Sequence, residues 1–308
     1  MTSNIKPLQT NSGTKTKVAI ICGGISGERG ISLNSARSVM DHLGGDDVDI
    51  CPLYVDQSLN FYEISPAQLY ANTPSDFDFK LLAEVLAGGG RQLDAAALAS
   101  WMQEKDMVFP VIHGAFGEDG QLQALLENIG VPYIGPTQAA CEKMFHKYNA
   151  AQILQENGYK TLHSVLLSAQ NSQKNTKQQI EAFFNEHTLT RAVVKPVAGG
   201  SSIGVFNVDS SEEAAEKAAY LFDNNIDGEA ILEPFCQGRE FTVCVMANID
   251  GEPVAFVPSE IEIDTTGGQI FDYRRKYLPT ANTKWHCPPR FSDEAVTTIR
   301  QQAEAIFK

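Results

Sequence analysis

The run Ala192-Val193-Val194-Lys195-Pro196-Val197-Ala198-Gly199-Gly200-Ser201-Ser202-Ile203-Gly204-Val205 constrains the fold of this chain more than any other stretch. An apolar, β-branched strand runs into a lysine, passes through a loop of small residues, and is expected to resume as a second strand at Ile203 and Val205. A lysine stem in so apolar a strand is costly to bury unless its ammonium meets a counter-charge. A Gly/Ser turn between strands offers backbone N–H groups and hydroxyls with no Cβ to hinder approach, which suits a phosphate. Lysine and turn together read as a clamp over a polyphosphate. An exposed strand-end lysine beside an ordinary hairpin turn is the alternative. No helix is expected directly after the loop, so the pattern is neither a Walker loop nor a Rossmann turn.

At 308 residues the chain exceeds one simple core, and two or three domains are expected. A hydrophobic content of 43% supports sizeable globular cores. The net charge of −14 argues against nucleic acid or an anionic membrane surface as partner, yet local lysines can still bind a small anion. The apolar runs are strand-sized, far short of the ~20 residues of a membrane span. Residues 1 to 16 are polar and lack a secretory signal, and read as a disordered arm. Cys22, Cys51, Cys141, Cys236, Cys244 and Cys287 form no C-x-x-C pair and have no histidines at metal spacing. Reduced thiols and a cytoplasmic location fit this pattern.

The N-terminal part alternates strands and helices, as in an open parallel α/β sheet. Val18 to Ile21 is a buried strand, followed by the loop Gly23 to Gly30. Ser32 is expected to cap a helix whose inner face carries Leu33, Ala36, Met40 and Leu43. Met107 to Ile112 is a second buried strand, with a helix after it that turns Leu122, Leu125, Leu126 and Ile129 inward. Residues 56 to 105 read as an elaborated insertion. These patterns divide the chain into an N-terminal α/β domain at 17–135, a central domain at 136–232 and a strand-rich C-terminal domain at 233–308. Lys143 and Lys147 are expected one helical turn apart at the start of the central domain. Strands are expected at Phe241 to Val245 and Pro253 to Val257. The last helix, Asp293 to Phe307, has Ser292 as its cap and Val296, Ile299, Ala303 and Ile306 on one face.

Four constellations carry chemistry. In Ile231-Leu232-Glu233-Pro234-Phe235-Cys236 and the following Gln237-Gly238-Arg239-Glu240, two acids flank a strand–turn–strand and can accept from an adenine amino group and ribose hydroxyls. Solvated turn acids are the alternative. His113 opens the loop Gly114-Ala115-Phe116-Gly117-Glu118-Asp119-Gly120 at the carboxyl edge of the sheet, where open α/β folds bind ligands. It can hydrogen-bond a substrate or serve as a structural donor, while Glu118 and Asp119 are expected to favour the next helix N-terminus. Glu28 lies in the equivalent loop after the first strand and can hold an ammonium. The spacing Gly24-x-x-Gly27-x-x-Gly30 departs from a dinucleotide fingerprint. Phe271-Asp272-Tyr273-Arg274-Arg275-Lys276-Tyr277 concentrates three cations in an acidic chain, and residues 265 to 277 read either as a mobile flap over phosphates or as a solvated basic loop.

Taken together, these segments resemble the D-alanine–D-alanine ligases of the ATP-grasp superfamily. The matching pieces run in order from about Lys17: Gly23-Gly24-Ile25-Ser26-Gly27-Glu28 with Ile31-Ser32-Leu33, His113-Gly114 with Gly117-Glu118-Asp119-Gly120, Lys195-Pro196 with Gly200-Ser201-Ser202-x-Gly204, Glu240-Phe241-Thr242-Val243, and Tyr273-x-x-Lys276-Tyr277. The resemblance implies an α/β and α+β multidomain chain in which the central and C-terminal domains form an ATP-grasp. It implies that ATP phosphorylates the carboxylate of one D-alanine and that the amine of a second attacks the acylphosphate, for peptidoglycan synthesis. Glu28 would hold the first ammonium, and Glu28, Ser201 and Tyr277 would form a hydrogen-bonded catalytic trio, with His113 beside the first substrate. Lys147, Lys195 and Lys276 would contact the phosphates of ATP and Glu233 and Glu240 its adenosine, with Ser202, Phe235 and Cys236 also among the ATP-binding residues. ATP and magnesium are the implied cofactors, no nucleic acid or membrane is an implied partner, and a homodimer is allowed.

Two features depart from the family pattern. Pro234 stands where relatives often carry a lysine beside adenine, a contact that backbone can make instead. The family's magnesium ligands, an Asp and a Glu-x-Asn pair, are expected after the last helix, beyond Lys308, so no metal ligand is expected within this chain and its C-terminal domain reads as incomplete. Two other readings stay open: a non-catalytic nucleotide-binding relative, and a carboxylate–amine ligase with a different second substrate.

Overall fold

The computed structural model describes residues 15–86, 91–263 and 283–308. The expected flap at 265–277, with Lys276 and Tyr277, and the first 14 residues of the expected arm lie outside them. The chain divides into two compact units, Met1–His146 with Ala198–Gly200, and Lys147–Val197 with Ser201–Lys308.

In the first unit, β1 (Thr16–Gly23) is an interior strand of a five-stranded sheet, next to its edge. It pairs in parallel with β2 (Val48–Val55) on one side and β5 (Met107–Pro110) on the other. Two short antiparallel strands, β3 (Phe61–Glu63) and β4 (Arg91–Leu93), extend the sheet beyond β2. Successive residues of β1 point to opposite faces, so Ala19 and Ile21 enter one core with Leu53, Trp101, Leu122 and Leu126. Ile20 and Cys22 enter the other core with Leu33, Tyr54 and Phe77. Both faces are covered, which is why β1 reads as a continuous apolar run rather than an alternating one. Burial pushes the Cys22 thiol up to about 12.

The helices of this unit are α1 (Arg29–Leu43), α2 (Pro66–Ala71), α3 (Pro74–Leu86), α4 (Ala95–Gln103), α5 (Gln121–Ile129) and α6 (Gln138–Met144). The stretch expected as an insertion supplies β3, β4, α2, α3 and α4. Three-residue strands are too short to show a period of two, so that region carries little strand signal. β1 opens at Thr16, inside the stretch expected as an arm, because Thr16 pairs with Val48.

Ser32 does not cap α1. The helix starts at Arg29, and its first backbone bond runs from the Ser32 N–H to the Glu28 carbonyl at 3.0 Å, which puts Ser32 in the second turn. There its fully buried hydroxyl accepts from the Gly23 N–H at 2.9 Å and donates to the Val111 carbonyl at 2.6 Å. Leu33 and Ala36 are buried as expected, while Leu43 at the helix end remains exposed.

The second unit opens with α7 (Lys147–Glu156). Lys143 and Lys147 therefore do not share a helix: α6 ends at Met144, and the Lys147 N–H donates to the Val197 carbonyl at 2.9 Å. An antiparallel sheet orders β6 (Val165–Ser168), β9 (Glu229–Pro234), β7 (Ala192–Pro196) and β8 (Phe206–Val208). Residues of α8 (Gln173–Glu186) and α9 (Ser211–Asp223), among them Ile180, Phe184, Ala218 and Leu221, join Leu167, Val194 and Leu232 of the sheet in one core.

The strand after the lysine loop begins at Phe206, not at Ile203. Ser201, Ser202 and Gly204 have φ of 53°, 57° and 72°, which is turn geometry rather than extended backbone. The expected strand 241–245 is also broken. Glu240–Thr242 forms β10 in a sheet with β13 (Ser259–Ile263) and β14 (Thr283–His286), whereas Val245–Ala247 forms β11 and pairs with β12 (Pro253–Ala255). The last helix, α10 (Asp293–Phe307), is capped by the Ser292 hydroxyl, which accepts from the Ala295 N–H at 3.3 Å. Its residues Val296, Ile299 and Ala303 are half-buried, and Ile306 is exposed.

Within the β10–β13–β14 sheet, Glu260 is 2% exposed and receives the backbone N–H of Arg290 at 2.8 Å and its guanidinium at 2.9 and 3.2 Å. Arg239 adds a longer bond at 3.4 Å. Hydrogen bonds from Arg290 hold the Glu260 carboxyl down at about 2. Glu262 is also held below the carboxylate range, first by His286 and then by Arg290.

Two measurements check these packing statements. Ser32→Ala leaves a buried N–H and a buried carbonyl without their partner, and is expected to lower stability by about 1–3 kcal/mol in chemical denaturation. The second concerns acid. Because the folded Glu260 carboxyl titrates below its ordinary 4.5, its contribution to stability is full above pH 4.5 and is lost as pH falls towards 2. The thermal midpoint is expected to fall through that window, and Arg290→Met to lower the midpoint at neutral pH and make the acid decline shallower.

Candidate active site

The chain leaves β1 for β2, then returns to the opposite side of β1 to form β5. At such a reversal the loops following the two parallel strands diverge and leave a crevice at their carboxyl ends. Glu28 and His113 sit in those two loops. The Ser26 hydroxyl joins them, donating to the His113 carbonyl at 2.6 Å and accepting from the Glu28 N–H at 3.1 Å.

The Glu28 side chain is 5% exposed. Two glycines approach it. An ideal Cβ on Gly114, whose φ is +74°, would stand 2.8 Å from Glu28 Oε2, and one on Gly200 would stand 3.1 Å from Oε1. Any side chain at Gly114 would displace the carboxylate, so bare backbone is what lets the β5 loop close on it.

The His113 ring meets protein groups at both nitrogens: Nε2 lies 2.9 Å from the Ser35 hydroxyl and Nδ1 lies 3.3 Å from Glu118 Oε1. Glu118 turns back to this ring and to the Gly114 N–H, 3.0 Å away, rather than serving the helix that follows. Asp119 serves that helix, accepting from the Gln121 N–H at 3.1 Å. The division follows from reach, since the loop bends at Gly120 and only Asp119 stays beside the first turn of α5.

In the second unit, Lys195 on β7 pairs with Glu233 on the adjacent β9, Nζ to Oε2 at 2.5 Å, both side chains being mostly buried. Glu233 is therefore the counter-charge that the apolar lysine strand calls for. Lys147 Nζ donates to the Val197 carbonyl at 3.4 Å. Ser201 is buried and Ser202 half-buried in the left-handed turn after β7. Beyond β9, the Phe235 N–H donates to the Arg191 carbonyl at 3.1 Å, and its ring lies under the Arg191 guanidinium, 4.0 Å from ring centroid to Cζ. Cys236 is exposed, and Glu240 is exposed on β10 opposite Ile261. Arg191 precedes Lys195 by four residues of extended chain, roughly 13 Å at about 3.3 Å per residue.

Sequence reasoning missed Ser26, Ser35 and Arg191. A signal existed for Ser35: Glu28, Ser32 and Ser35 share one face of α1 at helical spacing, a polar line along the side that packs on the sheet. Among the described residues no group of three or more His, Cys, Asp or Glu side chains could hold a metal ion. None of the described helices is long and apolar enough to cross a membrane.

Comparison with known proteins agrees across the chain. Residues 17–136 match the family described as D-ala D-ala ligase N-terminus, and residues 153–308 match the D-ala D-ala ligase C-terminus. A D-alanine–D-alanine ligase of Prosthecochloris aestuarii is 30% identical over 302 residues, covering 95% of this chain and 81% of that protein. One from Kineococcus radiotolerans is 30% identical over 318 residues, covering 97% and 81%. Among solved structures, the D-alanine–D-alanine ligase of Coxiella burnetii superposes with a TM-score of 0.73 at 25% identity, covering 95% of this chain and 77% of that one. The VanG D-Ala:D-Ser ligase of Enterococcus faecalis superposes with a TM-score of 0.73 at 26% identity, covering 96% and 82%.

Proposed function

Because this chain belongs to the D-alanine–D-alanine ligase family, we propose that it is an ATP-dependent carboxylate–amine ligase that joins two D-alanine molecules into D-alanyl-D-alanine for peptidoglycan precursor synthesis in the cytoplasm. The observation that carries the reading is the buried Glu28 carboxylate, set at the carboxyl edge of β1 and β5 and approached by glycine backbone. A buried carboxylate with bare backbone close against it suits recognition of a small ammonium.

The steps follow from charge. Glu28 binds the ammonium of the first D-alanine, and His113 stands beside it. Lys195 and Lys147 neutralise phosphate oxygens of ATP, helped by Lys276 and by Ser202 in the turn, while Phe235, Cys236, Glu233 and Glu240 border the nucleoside. The γ-phosphoryl group moves to the first carboxylate, giving an acylphosphate and ADP. The amine of the second D-alanine attacks the acyl carbon, loses a proton, and phosphate leaves. Ser201 and Tyr277 complete the trio with Glu28. Phosphoryl transfer depends mainly on placement and charge neutralisation, which is why lysines dominate the residue set. Magnesium belongs with ATP in this family, but the described residues offer it no ligand cluster.

The second substrate is open to one specific rival, since a D-Ala:D-Ser ligase superposes as well as a D-Ala–D-Ala ligase does. Phosphate release with D-alanine alone, compared with D-alanine plus D-serine and mass analysis of the product, separates the two. Lys195→Ala is expected to weaken ATP binding by roughly 2–4 kcal/mol in calorimetry, the range for leaving a buried charge partner unpaired; unchanged affinity would put the phosphate clamp elsewhere. Glu28→Gln keeps the shape but removes the charge, and should raise the KM for the first D-alanine far more than that for ATP. An equal rise in both would point to a general loss of structure instead.

A further inference from the structure

Ser35 lies seven residues beyond Glu28, two turns along α1 on the same face, and its hydroxyl is 2.9 Å from Nε2 of His113. At the other edge of the ring, Nδ1 is 3.3 Å from Glu118 Oε1. An ionised carboxylate accepts hydrogen bonds and donates none, so Glu118 requires the ring proton on Nδ1. Nε2 is then a bare acceptor that only a donor can satisfy, and the Ser35 O–H is the donor in reach. Glu118 is itself held by the Gly114 N–H at 3.0 Å. The Ser26 hydroxyl fixes the main chain of the same residue through the His113 carbonyl at 2.6 Å.

Two serines thus do separate jobs. Ser26 ties the backbone of the β5 loop to the Glu28 N–H, and Ser35 ties the imidazole of that loop to the helix that Glu28 opens. Gly114, the next residue, is the one whose backbone stands against the Glu28 carboxylate. The His113 ring and the Gly114 N–H meet the two oxygens of one carboxylate, Glu118, which ties the ring to that backbone.

We infer that Ser35 is a positioning residue of the amino-acid subsite: it holds His113 as the Nδ1–H tautomer, clipped to α1, and so keeps the Gly114 backbone against Glu28. The inference rests on the reading of Glu28 as the partner of the substrate ammonium. Ser35 touches neither substrate nor reacting atoms and acts through His113.

The test uses the 308-residue chain labelled with ¹⁵N-histidine, with the His113 signals assigned by a His113→Gln variant and spectra taken at about pH 8, above the ordinary histidine range. The wild-type ring is expected to carry its proton on Nδ1, with Nε2 as a hydrogen-bonded acceptor. Ser35→Thr should keep that signature, and Ser35→Ala should lose the acceptor signature at Nε2. D-alanine titrated into the same samples should bind about tenfold more weakly to Ser35→Ala and within about twofold of wild type to Ser35→Thr, with ATP affinity equal in all three. A wild-type ring protonated on Nε2 overturns the inference. So does a Ser35→Ala variant with unchanged ring signals and unchanged D-alanine affinity. If D-alanine affinity is also indifferent to Glu28→Gln, the ammonium reading of Glu28 falls, while the ring spectrum still decides the role of Ser35.

Discussion

The Ser32 hydroxyl closes the arrangement on which the carboxyl edge of β1 and β5 depends. It accepts from the last residue of β1 and donates to the residue just beyond β5, so one buried oxygen spans the ends of two neighbouring parallel strands and fastens α1 to both. Two parallel strands joined by a long excursion have no turn to hold their carboxyl ends in register, and at a switch point their loops part. The hydroxyl supplies the missing link from a helix that begins in one of those loops. Glu28, Ser32 and Ser35 are consecutive members of one helical face, so anchoring Ser32 also fixes the height and rotation of the other two.

The four-stranded sheet of the second unit rests on a different solution to the same problem of burying polarity. Here the sheet is antiparallel, and neighbouring strands bring Lys195 and Glu233 within contact. A lysine in an apolar strand needs an anion, and a carboxylate on the next strand satisfies it. Replacing one anion by another, a carboxylate by a phosphate, asks for no change in the burial of the lysine stem. Arg191 plays the matching part at the other end of β7, where its guanidinium lies over the Phe235 ring and its carbonyl receives the Phe235 N–H.

Ion pairing also organises the β10–β13–β14 sheet, with another balance. Glu260 takes four contacts from two arginines, and Arg290 reaches on to Glu262 at 3.1 Å. A buried carboxylate held this completely is a joint rather than a reactive group, and it ties the two strands that flank residues 264–282 to the turn preceding α10.

Features that depend on a residue and its near neighbours could be read directly from the chain. β1 and β5 stand out because strands buried on both faces must be apolar along their length, and Lys195 stands out because nothing else in its strand is charged. Ser292 announces α10 because a cap bonds to the N–H three residues on. Glu28 and His113 are legible as candidates because each follows such a strand. The rest needed the folded molecule. The same local pattern that marks Ser292 as a cap suggested Ser32, yet that hydroxyl is claimed by backbone groups 9 and 79 residues away. Ser35 and His113 are separated by 78 residues, and Glu233 became the partner of Lys195 only through the pairing of β7 with β9. Local patterns report what a residue can bond to; which of the eligible partners it meets is set by strand order and register, because those alone determine which distant groups arrive within three ångströms of one another.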